Sequence, residues 1–260
     1  MSGDEIFVLL VSLALGGWLM VRWALVAAGA CTLHSSSRVL RVPCAAAALG
    51  FAALGVVLGR AASFDVQGIY VFFYLAIGVA WTGLSLAALH VFGLSLRDDL
   101  LERHNRAVAP AFAGAIPGLT LCFAGANIGD GPGWWVVIFC AALATGAFLL
   151  AWVLLDRVTG VGEEITVHRN AAAGWRAGWW MLALGALLGR AVAGDWVSVP
   201  ATLQDFGFAT KGATVLLVTG LVLEIWAQRR ERSGHAPLAL VPAWVYVGYT
   251  ILYLAWLGRW

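Results

Sequence analysis

The 260-residue chain is 62% hydrophobic and only 12% charged, with a formal net charge of +2. A soluble domain of this length keeps about 25% of its residues charged, so most of this surface must face lipid or other apolar helices. The basic residues are few and scattered, which argues against nucleic acid as a partner.

Eight apolar runs, each long enough to cross a hydrocarbon core of about 30 Å, are expected near 6–28, 42–62, 69–92, 107–128, 134–155, 172–192, 209–227 and 240–258. Asp4 and Glu5 precede the first run and no early Lys or Arg does, so it reads as a retained helix rather than a secretory signal. Pro110 and Pro117 fall in the fourth run and should bend it. Twelve of the sixteen basic residues, Arg22 and Arg176 among them, fall on the side of the first, third, fifth and seventh connections. The positive-inside rule puts that side in the cytoplasm and both termini in the periplasm.

Chemically similar residues recur every 65 positions. Asp65, Asp130 and Asp195 lie on this period, as do Asn105 and Asn170, and the acidic pairs Asp98-Asp99 and Glu163-Glu164. Such self-similarity marks a repeated supersecondary unit. The chain is read as a first helix (1–31), a degenerate unit (32–93), two further units (97–158 and 162–230) and a last helix (231–260). The fold expected is an all-α polytopic bundle of parallel two-helix repeats related by an axis along the membrane normal. Small residues four apart, Gly55 and Gly59, Thr120 and Ala124, Gly185 and Gly189, should let the second, fourth and sixth spans pack closely as an inner layer. The third, fifth and seventh carry Phe72, Phe73, Tyr74, Trp81, Phe148, Trp152 and Trp226, and are expected to face lipid, a second copy or a partner membrane subunit.

Two polar groupings are candidate sites. Arg22, Asn105, Asn170, Arg176 and Glu224 are expected to gather at a cytoplasmic mouth, since intramembrane charge is costly and by default functional. Snorkelling of the two arginines to the membrane surface is the bland alternative. Exchanging the charges of Arg176 and Glu224 together should then restore folding. Asp65, Asp130 and Asp195 are expected at an outer mouth, where an acidic ring would attract cations; ordinary turn capping is the alternative for each alone. Trp175, Trp179 and Trp180 beside Arg176 suggest cation–π packing or a subunit contact.

No reaction is named by any motif: there is no phosphate loop, no H-E-x-x-H and no nucleophile elbow. Cys31, Cys44, Cys122 and Cys140 have no metal or redox spacing and read as packing residues. His34, His90, His104, His168 and His235 all fall on the expected cytoplasmic side and none is mid-membrane, which disfavours haem between helices. His104 and His168 with Glu102 or Glu164 could make a metal site, but read better as solvated loop residues. Neither cofactor nor metal is expected, and no enzymatic activity.

The loops 97–109 and 163–174 each set an acidic pair, a short amphipathic turn, a basic residue and Asn before an Ala-rich helix. This pattern, over about residues 69–227, resembles the DUF350 (YjfL-like) family of bacterial inner-membrane proteins, a domain of unknown function often in tandem. Arg106 interrupts the Asn-Ala step in one copy, and Leu40 stands where the early unit should have Asn. The resemblance implies a bacterial inner-membrane location and supplies no catalytic residues. The function expected is passage, or assisted passage, of an ion or small solute. The alternative is an interaction or sensing subunit whose Arg-rich loops dock a cytoplasmic partner or anionic lipid.

Overall fold

The computed structural model describes residues 1–32, 37–63, 65–233 and 240–257, with the side chains of 23–32, 37–40 and 101 left undescribed. His34, His235 and Arg259 lie outside the described residues, and Cys31 and Arg38 outside the described side chains.

The eight apolar runs form helices α1 (Gly3–Thr32), α2 (Ser37–Arg60), α3 (Ile69–Val91), α4 (Val108–Gly125), α5 (Trp134–Thr159), α7 (Ala171–Ala191), α9 (Lys211–Arg232) and α10 (Val241–Trp256). Three short elements join them: a π-helical turn at Leu96–Glu102, α6 (Val161–Thr166) and α8 (Val199–Ala209). The molecule is an all-α polytopic membrane protein. Among the described residues six helices, α1 to α5 and α9, are long and apolar enough to cross a bilayer. α7 falls short because Arg176, its glycines and its three tryptophans dilute it, and α10 because it has only 16 residues.

Local chemistry explains the boundaries. Asn170 caps α7, its Oδ1 accepting from the backbone N–H groups of Ala172 and Ala173. Ser198 caps α8 in the same way, and Gly160, at φ 66°, lets α5 stop and α6 begin without a Cβ clash. Pro110 lies in the first turn of α4, where its missing N–H costs nothing, and the helix runs on unbroken through Pro117.

The helices lie in two rows. α2, α4, α7 and α10 form one and α1, α3, α5 and α9 the other, with the apolar core between them. α4 and α7 make the most extensive contact in the molecule. A Cβ on Gly114 or Gly125 would strike the backbone of Gly178 or Gly189, and one on Gly174, Gly178, Gly185 or Gly189 would strike the backbone of α4 or the residue before it. In lipid, where apolar burial gives little drive between helices, this approach gains dispersion contact along two backbones.

Two expectations are corrected. α2 joins the inner row but does not use Gly55 and Gly59, which face open space; its contact is Gly50 against Pro117. α2 ends its row, with α4 beside it in that row and α3 and α1 across from it. The aromatic residues of the other row largely turn inward: Phe73, Phe148 and Trp152 are fully buried and Tyr74 nearly so, while Phe72 stays exposed. The glycine-rich seam leaves volume beside it that large side chains fill, as where Phe148 lies against Gly118. Indole N–H groups inside the bundle find acceptors, Trp81 on Thr145 at 3.0 Å and Trp152 on the Phe92 carbonyl at 3.2 Å.

Gly178→Leu should therefore lower the melting temperature in detergent by about 10 °C or abolish the monodisperse species, since overpacking costs about 3 kcal/mol. Gly146→Leu, at a glycine with nothing within 4 Å, should leave both unchanged. Equal behaviour of the two variants would mean that the seam does not hold the fold.

Candidate functional site

One end of the bundle carries most of the arginines, and the other carries the turns of Asp65, Asp130 and Asp195. Near the arginine-rich end, α7 and α9 bury a charged network. Arg176, with 0% of its side chain exposed, donates from Nε to Oε2 of Glu224 at 2.8 Å and from Nη2 to Oε1 at 2.7 Å. Its Nη1 donates to Oε1 of Glu231. Asn170 donates from Nδ2 to the other oxygen of Glu231 at 2.8 Å while its own oxygen caps α7. Gln228 donates to the Thr159 carbonyl at 3.0 Å and lies 3.4 Å from Glu224 Oε1. Glu224, Gln228 and Glu231, spaced by four and three, stand on one face of α9.

The structure thus brings together Arg176, Glu224 and Asn170 and adds Gln228 and Glu231, which sequence reasoning missed. The signal was present: Glu231 lies seven residues beyond Glu224, on the same helical face. With two carboxylates on one guanidinium, a simple exchange of Arg176 and Glu224 sets a glutamate beside Glu231. The expected rescue by charge exchange does not fit this geometry.

Asn105 and Arg22 do not join the network. Asn105 ties the two loops of this end, donating to the Ile165 carbonyl at 2.8 Å and the Thr166 carbonyl at 3.2 Å. The loops match closely. Asn105 N–H donates to the Asp99 carbonyl and Asn170 N–H to that of Glu164, each at 2.9 Å. His104 and Arg169, just before the asparagines, take left-handed backbone angles of φ 51° and 53°, unusual for residues with a Cβ. Arg22, on α1, lies over the ring of Trp18 at 4.9 Å. Trp180 is buried and donates to the Leu216 carbonyl, while Trp175 and Trp179 are partly exposed.

At the opposite end the three aspartates do not form a ring. Asp195 accepts at Oδ1 from the Asp130 N–H at 2.8 Å, and the Asp130 carbonyl accepts from the Trp196 N–H at 2.7 Å. This clasp joins the turns after α4 and α7. Both aspartates line a cavity of about 100 Å³ together with Asp205 of α8 and Asn127, while Asp65 lies outside it in the turn after α2. α8, which has no buried residue, brings in Asp205 from the segment between α7 and α9. Asn127 is buried and donates to the Phe123 carbonyl at 2.7 Å; its Oδ1 meets no donor among the described residues.

His90 lies 3.8 Å from Asp98, and His104 and His168 sit in separate exposed loops. Among the described residues no three His, Cys, Asp or Glu side chains converge as metal ligands would. Cys122 and Cys140 are free and buried, and Cys44 is free and exposed.

A helical bundle with a buried ion network near one end and clasped aspartates at the other describes a multi-pass membrane protein with a polar cluster at each end. Residues 63–192, 130 of the 260, match the model of a Domain of Unknown Function, DUF350, and the chain belongs to that family. No curated protein and no solved structure matches it. The matched segment contains Asn105, Asn170, Arg176, Asp65 and Asp130. Glu224, Glu231 and Asp195 come from beyond it.

Removing one partner from a buried ion pair leaves the other charge uncompensated, at about 3–5 kcal/mol. Arg176→Gln and Glu224→Gln should each lower thermal stability in detergent accordingly. Arg176→Met combined with Glu224→Met should lose clearly less than the sum of the single methionine variants. Additive losses in that cycle would show that the pair is not coupled.

Proposed function

We propose that this membrane bundle conducts, or assists the passage of, a small cation or proton between its two polar mouths, without enzymatic chemistry. The observation that carries this reading is the buried network of two carboxylates on one guanidinium. Two carboxylates face one guanidinium there, so these three side chains together carry an excess negative charge that would attract a cation. Glu231 is the more accessible of the two and Glu224 the deeper. A cation arriving at Glu231 would compete with Nη1 of Arg176 for its carboxylate. The clasped Asp130 and Asp195, with Asp205, supply negative potential at the other mouth. By the positive-inside rule the arginine-rich end faces the cytoplasm of a bacterial inner membrane.

A second reading is supported by the closed centre. The α4–α7 seam and the buried Phe123, Phe148 and Trp180 fill the space between the mouths. On that reading the chain is an interaction or sensing subunit, and Arg106, Arg157, Arg169, Arg229 and Arg230, all exposed, offer the docking surface. Docking of a second copy through outer aromatics has less support, since those side chains largely turn inward.

Proteoliposomes of the purified chain, assayed for proton, sodium and potassium movement, separate the two. Glu231→Gln should reduce flux about tenfold, the effect of about 1.4 kcal/mol. Asp130→Asn with Asp195→Asn should reduce entry from the aspartate end while preserving the clasp, because an asparagine oxygen also accepts. Flux no higher than in protein-free vesicles would sink the passage reading and favour docking.

A further inference from the structure

A cleft of about 250 Å³ opens at the arginine-rich end between α1, α3 and the π-helical turn. Its floor is apolar, formed by Leu19, Leu86 and Phe112, and its mouth carries Arg22, Arg97, His90 and Asp98. At Gly83, Leu19 of α1 occupies the space that a side chain would need, so α1 and α3 touch there. The exposed Ala87, one turn further along α3, belongs to the cleft.

The depth of Arg22 follows from helix geometry. α1 runs on from Arg22 to Thr32, ten residues or about 15 Å of helix toward the arginine-rich end. An arginine at that depth reaches the headgroup level by extending its long side chain along the helix. Its guanidinium stacks on Trp18 and meets no carboxylate among the described residues. Arg97 holds Glu102 through Nε at 3.0 Å, and Asp98 faces His90. The mouth thus carries the guanidinium of Arg22, that of Arg97 held by Glu102, and the carboxylate of Asp98 beside His90, above an apolar floor.

We infer that this cleft binds one anionic phospholipid, its phosphate at Arg22 and Arg97 and the start of an acyl chain against Leu19, Leu86 and Phe112. Arginine is suited to phosphate because its planar donors match the oxygens, and it loses less hydration than lysine. The apolar floor gives a soluble phosphate nothing to bury, whereas a lipid uses both halves of the cleft. Basic pockets between membrane helices hold anionic headgroups by the same combination. The site is independent of whether the bundle passes a cation.

Native mass spectrometry of the full chain in detergent, titrated with phosphatidylglycerol or phosphatidylcholine, tests this. One phosphatidylglycerol per chain should bind about fivefold more tightly than phosphatidylcholine. Arg22→Gln should remove that preference, and Ala87→Phe, which fills the cleft from an exposed position, should weaken both lipids. Equal binding of the two lipids would overturn the inference, as would an undiminished preference in Arg22→Gln. Displacement of the lipid by millimolar inorganic phosphate would also overturn it, by marking a free-anion site. Melting curves of both variants, matched to the parent, tie any lost binding to the cleft.

Discussion

The rest of the structure depends on two backbones brought close enough to touch. Along α4 and α7, glycines face the partner helix's main chain at one level after another. Without water to drive apolar surfaces together, such close approach is how membrane helices gain attraction. The seam is nearly featureless in side chains, so the neighbouring row must supply bulk. Phe73, Phe148 and Trp152 do so, which is why aromatics that looked destined for lipid lie inside.

The same seam positions both polar ends. At one, it holds the turns after α4 and α7 together, so that Asp195 clasps the Asp130 amide. At the other, it sets Arg176 in the second turn of α7, facing α9. A guanidinium with no exposure there has no route to snorkel to water and must be met by charge. Glu224 and Glu231 meet it with an excess of negative charge, an arrangement that stabilises the α7–α9 contact less economically than an apolar one. The acidic half comes from outside the segment that matches the DUF350 model, so α9 completes a network begun in the family's own segment.

Much of this was legible in the chain and some was not. The eight apolar runs became the eight long helices with small shifts at their ends, because transfer of an apolar run into lipid depends on that run alone. The Asn caps were legible at Asn170, where a short polar side chain precedes an Ala-rich stretch. The matched geometry of His104-Asn105 and Arg169-Asn170 reflects a local pattern recurring at 65 residues. Asp65 had the right spacing and the wrong place, since its turn follows the end helix of a row and lies outside the clasp. Gly55 and Gly59 show the same error: small residues permit close approach but do not create a neighbour.

By itself, then, the sequence determined an all-α membrane protein, its helices, the polar signatures of its loops and its family. These follow from hydrophobicity, capping and charge summed over short stretches. Tertiary structure alone decided which glycines meet a backbone, which aromatics are buried, that Glu231 and Gln228 join Arg176, and that Asp205 replaces Asp65 beside the clasp. Each of these turns on a distance between segments far apart in the chain, and such distances arise only when the helices pack.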